Sequence, residues 1–168
     1  MSTSSERGKR FESEVEEILR SVVSRFPSRS SIVCQAQTRL NDGRTKIIDF
    51  TLHYRTSASS HEIGIECQDR EQWNSEIVDK VLAIRSNSHH NRFWYVFRDE
   101  SFLSREAIAL LDSHGIMHFS LEQLRNHLGA IMIELAAAES SQSGHKVKYE
   151  APSDPAMTAT PPKKPFLF

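Results

Sequence analysis

Between residues 11 and 26 the apolar positions fall three and four apart. Phe11, Val15, Ile18, Leu19, Val22 and Val23 predict one amphipathic helix, and Phe26-Pro27 closes it. At ~100° per residue these positions cover an arc of roughly 140°. Glu14, Glu16 and Glu17 fall outside that arc, where water solvates them. Glu12 falls inside it, between the bearings of Leu19 and Val23. An acid there costs free energy unless it is paired or used. A place at the helix start, where the dipole favours negative charge, is the competing explanation.

The period then changes to two. Ser31 to Leu40 predicts a strand, and Asn41-Asp42-Gly43 a hairpin turn, because these residues tolerate positive φ. The returning strand is Arg44 to Tyr54. Its even positions Ile48, Phe50 and Leu52 form one apolar face, and Asp49 lies on the other with Ile47 and Thr51. After a turn over Arg55 to Ser60, a third strand runs from Glu62 to Gln68. There Ile63, Ile65 and Cys67 point one way and Gly64, Glu66 and Gln68 the other.

Trp73 to Asn87 predicts a second helix with Ile77, Val78, Val81, Leu82 and Ile84 on its apolar face. Asn74 is its N-cap, and Trp73 with Val78 its hydrophobic staple. Arg92 to Arg98 is apolar on both faces, which suits a central strand covered on two sides. Its Phe93-Trp94-Tyr95 run is therefore read as core rather than as a stacking platform. Ser104 caps a third helix, Arg105 to Ser113, stapled by Leu103 and Ile108 and stopped at His114-Gly115. Ile116 to Phe119 is a short strand. Ser120 and Gln123 form a capping box that opens a last helix, which runs to about Ala138. The order is helix, three-strand meander, helix, strand, helix, strand, helix. It predicts one α/β domain over residues 1–138 with a mixed central sheet flanked by helices. Residues 139–168 are polar, Pro- and Ser-rich and aperiodic, and are expected to form a disordered tail. Its apolar end, Phe166-Leu167-Phe168, is expected to dock on a partner protein or a second copy of the chain.

Composition narrows the picture only a little. The chain has 168 residues, enough for one domain with a proper core. Lys and Arg number 21 against 22 Asp and Glu, so no global field steers it to nucleic acid or an anionic membrane. That argues against a passive basic DNA coat without excluding DNA binding. The N-terminus has no apolar signal region and no segment approaches membrane-spanning length, so a soluble, cytoplasmic protein with no membrane partner is expected. Cys34 and Cys67 lie in predicted strands without metal-type spacing, and both are expected as buried free thiols.

The candidate chemistry sits in the second and third strands. Glu66 and Gln68 share a face, and an antiparallel register easily sets Asp49 near Glu66. Two buried carboxylates at one point repel, raising one pKa, unless a hard cation sits between them. Mg²⁺ keeps several waters, one of which can attack a phosphodiester. Glu12, on a helix face turned to the sheet, could orient the outer shell. The competing reading for Asp49 or Glu66 taken singly is an ordinary solvated acid. Lys46 is on the even face, away from Asp49, and so poorly placed as a base. Lys80 and Arg70 are the alternatives. His89-His90 is read as polar loop. Lys9, Arg10, Arg39, Arg44, Arg55 and Arg70 lie around the turns near the site, to touch phosphates or merely solubilise its rim.

The αβββαβ order, with Asp in the second strand and Glu in the third, resembles the PD-(D/E)xK, or restriction-endonuclease-like, nuclease superfamily. The Mrr-type branch is the most similar, through Gly8-x-x-Phe11-Glu12, Ile48-Asp49-Phe50 and Ile65-Glu66-Cys67-Gln68-Asp69-Arg70. It is also similar in the run from Phe102 to Ala107, in His114-Gly115-Ile116 and in Ser120-Leu121-Glu122. The likeness covers roughly residues 8–128. It implies an endonuclease that cuts DNA with Mg²⁺ or Mn²⁺, acting in restriction, defence or repair. Asp49 and Glu66 would bind the metal, with the backbone carbonyl of Cys67 as a further ligand and Glu12 as the helix acid. Glu12, Asp49, Glu66 and Gln68 would form the catalytic set. The departure is Gln68, which stands where the pattern has lysine and brings no positive charge. An inactive nuclease-fold module that binds nucleic acid or joins a larger complex is the alternative. A homodimer is among the assemblies considered.

Overall fold

The computed structural model describes residues 4–41, 43–69, 75–88, 90–99 and 103–143. The apolar stripe of the first helix forms α1, Ser4–Arg25, and buries Phe11, Val15, Ile18, Leu19 and Val22. The meander follows as β1 (Ser30–Arg39), β2 (Thr45–Arg55) and β3 (Ser60–Gln68). Then come α2 (Ser75–Asn87), β4 (Arg92–Phe97), α3 (Arg105–Ser113), β5 (Ile116–Ser120) and α4 (Leu121–Ser143). The predicted elements are all present, in the predicted order.

The strands form one five-stranded sheet in the order β1-β2-β3-β4-β5. The β1–β2 and β2–β3 pairs are antiparallel; β3–β4 and β4–β5 are parallel. Helices cover both faces. On one side α1 and α4 pack over Phe50, Leu52, Tyr54, Ile63, Ile65 and Cys67, with Trp94, Val96 and Phe119. On the other, α2 and α3 pack over Ile48, Phe93, Tyr95, Phe97 and Ile116. Strand β4 feeds both cores alternately, which is why its sequence is apolar throughout.

Local chemistry fixes the ends. The Ser104 hydroxyl accepts from the Ala107 amide at 3.2 Å. The Ser120 amide donates to Gln123 Oε1 at 2.8 Å, and the Gln123 amide returns the bond to Ser120 Oγ at 3.3 Å. Gly43 and Gly115 take positive φ, 84° and 65°, as turn and helix-stop positions require. Helix α4 runs five residues beyond Ala138. The hydroxyls of Ser140 and Ser141 bond back to the carbonyls of Ala136 and Ala137 at 3.0 and 2.9 Å, which carries these polar residues within the helix. Among the described residues no helix is long and apolar enough to cross a membrane.

Some expectations lie outside the described residues. They are Asp42 of the turn, Arg70, the Asn74 cap and Trp73–Val78 staple, the side chain of Ile77, His89, Phe102 and the segment 144–168.

Candidate active site

The site forms where β2 and β3 part. Their ladder runs from Arg55–Ser60 to Phe50–Ile65 and no further among the described residues. The same register would place Asp49 opposite Glu66 and Ile48 opposite Cys67. Instead the Asp49 side chain enters the fork, and its Oδ2 accepts from the Cys67 amide at 2.8 Å. A carboxylate takes the place of the next backbone acceptor. On the outer flank the β1–β2 pairing steps from Cys34–Phe50 to Ala36–Ile48, and Gln35, across from Asp49, has φ 50°.

This distortion corrects the expected faces of β2. Ile48 packs in the α2/α3 core, whereas Phe50 and Leu52 pack in the α1/α4 core. Regular alternation would have kept all three together. The strand turns over at Asp49, so parity does not remove Lys46. Its positive charge reaches Glu66, as does that of Lys80 from α2.

Glu66 is 4% exposed, in the middle of the sheet. Burial, then the charge of Asp49, pushes its carboxyl up to about 8, against the pull of Lys80 and Lys46. Burial also raises Asp49, opposed by the Cys67 amide and by Lys80. Glu12 is half-buried, and burial followed by the Asp49 charge raises it, while Lys9 opposes. Glu12 in turn adds to the rise at Glu66. The three carboxylates thus share one field. Gln68 lies on the Glu66 side of β3. The Oε1 atoms of Glu66 and Gln68 are both buried and have no hydrogen-bond partner among the described residues. Cys67 enters through its main chain: its thiol points into the α1/α4 core, where burial and the nearby acids push it well above the ordinary thiol range.

Among the described residues no three His, Cys, Asp or Glu side chains are arranged to hold a metal ion. The donor set is two carboxylates with neutral oxygens beside them, which suits a hard, partly hydrated cation such as Mg²⁺. A buried carboxyl oxygen without a partner is the feature such a cation would complete.

Other residues depart from expectation. His90 is 3% exposed, with Nε2 3.1 Å from the buried Thr51 hydroxyl, so it belongs to the core and not to a polar loop. Arg55 lies at the far end of β2 from Asp49, beside the Ser60 end of β3. Cys34 is half-buried rather than buried, its thiol donating to Glu16 Oε1 at 3.4 Å. Arg98 was not singled out by any motif, yet it clamps the rim. Its guanidinium reaches Glu14 Oε2 and Asp69 Oδ1, each at 3.1 Å, and sits 4.9 Å over the Phe11 ring. That ties the start of α1 to the strand ends beyond Gln68.

No protein-family model and no curated protein sequence matches the chain. Solved structures do. Can2 from Sulfobacillus thermosulfidooxidans, in complex with cyclic tetra-adenylate, aligns with TM-score 0.55 at 16% identity, over 74% of this chain and 36% of its own. Protein VC1899 from Vibrio cholerae aligns with TM-score 0.53 at 16% identity, over 76% of this chain and 33% of its own. AF1548, a protein of unknown function, gives 0.52 at 14% identity over 71% of this chain and 66% of its own. The fold is restriction-endonuclease-like. The chain spans about a third of the length of Can2 and VC1899. At these identities the likeness concerns architecture alone.

Proposed function

We propose that the chain is a divalent-cation-dependent endonuclease that hydrolyses phosphodiester bonds in DNA, on the Mrr-type pattern, in cytoplasmic restriction, defence or repair. The observation that carries this reading is the Glu66 carboxylate, buried beside Asp49 at the strand fork with one oxygen left without a partner. Asp49 and Glu66 would hold Mg²⁺ or Mn²⁺, with the Cys67 carbonyl as a further ligand. The ion would supply Lewis acidity and a water activated toward phosphorus.

The surrounding residues prepare that chemistry. The Cys67 amide fixes one Asp49 oxygen, so the carboxylate has a defined orientation before any ligand arrives. Glu66, raised to about 8, would release its proton as the cation binds. Lys80 and Lys46 place positive charge in the same field and offset the charge that develops on the phosphate. Glu12 works through its charge on the pair, from the opposite layer.

The test is cleavage of DNA with Mn²⁺ or Mg²⁺ by the wild type, Asp49→Ala and Glu66→Ala. Cleavage by the wild type, with loss in both variants, is the expected result. Equal cutting by all three, or none with any metal, sinks the reading. The neutral Gln68 favours a second reading, a nuclease-fold module that binds nucleic acid or joins a complex without cutting. Under it the wild type is inert and Gln68→Lys creates metal-dependent cleavage.

A further inference from the structure

We propose that Gln68 is a metal ligand, its amide carbonyl oxygen joining the Asp49 and Glu66 carboxylates as the third protein side-chain oxygen of the site. The inference rests on the metal reading above and assigns the departing residue a different task from the lysine it replaces.

Geometry carries it first. Glu66 and Gln68 are two apart in β3 and project on the same side, while the Cys67 side chain between them lies in the opposite core. The Cys67 amide that holds Asp49 Oδ2 is therefore flanked by these two side chains. Three oxygen-bearing groups converge on one residue's stretch of backbone.

Satisfaction carries it second. Glu66 Oε1 and Gln68 Oε1 are both buried, and neither accepts a hydrogen bond from any described group. Once Glu66 gives up its proton, the two are acceptors side by side and cannot satisfy each other. Buried acceptors without donors cost free energy that proteins rarely leave uncompensated. Lys80 and Lys46 act on Glu66 through their charge, but neither bonds these oxygens. A cation satisfies both at once, and an amide carbonyl is an ordinary ligand for a hard ion.

The same side chain turned the other way would donate its NH₂ to Glu66 and only position that carboxylate. Mn²⁺ titration of the full chain by calorimetry separates the two, using the wild type, Gln68→Ala, Gln68→Glu and Glu66→Ala. Thermal unfolding with and without Mn²⁺ accompanies each titration. As a ligand, Gln68 replaced by Ala weakens Mn²⁺ binding at least about tenfold. The Mn²⁺-induced rise in Tm shrinks in parallel, and the metal-free Tm does not fall, because an acceptor without a donor has been removed. Gln68→Glu keeps an oxygen at the same position and retains binding. If Gln68→Ala binds Mn²⁺ like the wild type while Glu66→Ala does not, the ligand assignment fails and the metal site stands. A fall in the metal-free Tm of Gln68→Ala makes the residue structural and overturns the proposal. If the wild type takes no Mn²⁺, the metal reading falls and this assignment with it.

Discussion

The two ends of the β2–β3 hairpin are built on opposite terms. At the Tyr54 end the ladder is complete and the turn closes on itself. The Thr56 amide donates to the Ser59 carbonyl at 2.9 Å, and the Thr56 hydroxyl accepts from the Ala58 and Ser59 amides. His61 stacks on Tyr54 with ring centroids 4.5 Å apart, and Arg29 donates to the Arg55 and Ala138 carbonyls. At the Asp49 end the ladder opens, a carboxylate stands in for a backbone acceptor, and a second carboxylate is buried without full satisfaction. One end is finished as structure. The other is stabilised from outside, by the two cores on either side of the sheet, and keeps polar atoms available.

Truncation of the finished part should have the largest effect. Leu52→Ala removes a fully buried side chain from the α1/α4 core and should cost about 2–5 kcal/mol in denaturant unfolding. Mn²⁺ affinity of the folded variant should be unchanged. A cost below about 1 kcal/mol would mean that the core on this side is not what supports the open end.

The next effect belongs to the open end and depends on pH. Glu66 is raised from 4.5 to about 8, so between these values the native protein holds a proton that the unfolded chain has released. Stability of the metal-free protein should therefore fall as pH rises through that window, by about 1.4 kcal/mol per pH unit at the steepest. Glu66→Gln should flatten the slope in EDTA. A rise in stability over the same range would contradict the burial described here.

Gly64 lies between the two ends. A Cβ there would stand 2.9 Å from Cδ2 and Cε2 of Phe93 and 3.1 Å from Cγ of His90. Phe93 is fully buried and has nowhere to swing. Gly64→Ala should cost about 1–3 kcal/mol in thermal unfolding, with the Thr51–His90 contact disturbed. Smallest, and remote from both ends, is Ser104→Ala, which removes the α3 cap for about 1 kcal/mol and should leave metal binding untouched.

What could be read from the chain follows from which interactions are local. The α1 stripe, the Ser104 cap and the Ser120–Gln123 box are set by residues within a turn or two of one another, and all three appear as expected. The approach of Asp49 to Glu66 followed from strand order. The turning-over of β2 did not, because alternation assumes an unbroken pleat, and the break depends on a side chain bonding across to β3. Lys46 was misplaced for the same reason. His90 and Arg98 were missed because their partners, Thr51 and Glu14, lie 39 and 84 residues away, and no sequence spacing marks such pairs.

The bond from Cys67 to Asp49 makes one backbone proton a reporter. Most amides in a strand are shielded from hydrogen exchange by carbonyls that neither titrate nor bind ions. This one is held by a carboxylate, at 2.8 Å, in the group where ligand and proton would compete. Its exchange with deuterated solvent, and its chemical shift, should therefore respond to cation and to pH, while the amides farther down the ladder toward Tyr54 stay silent.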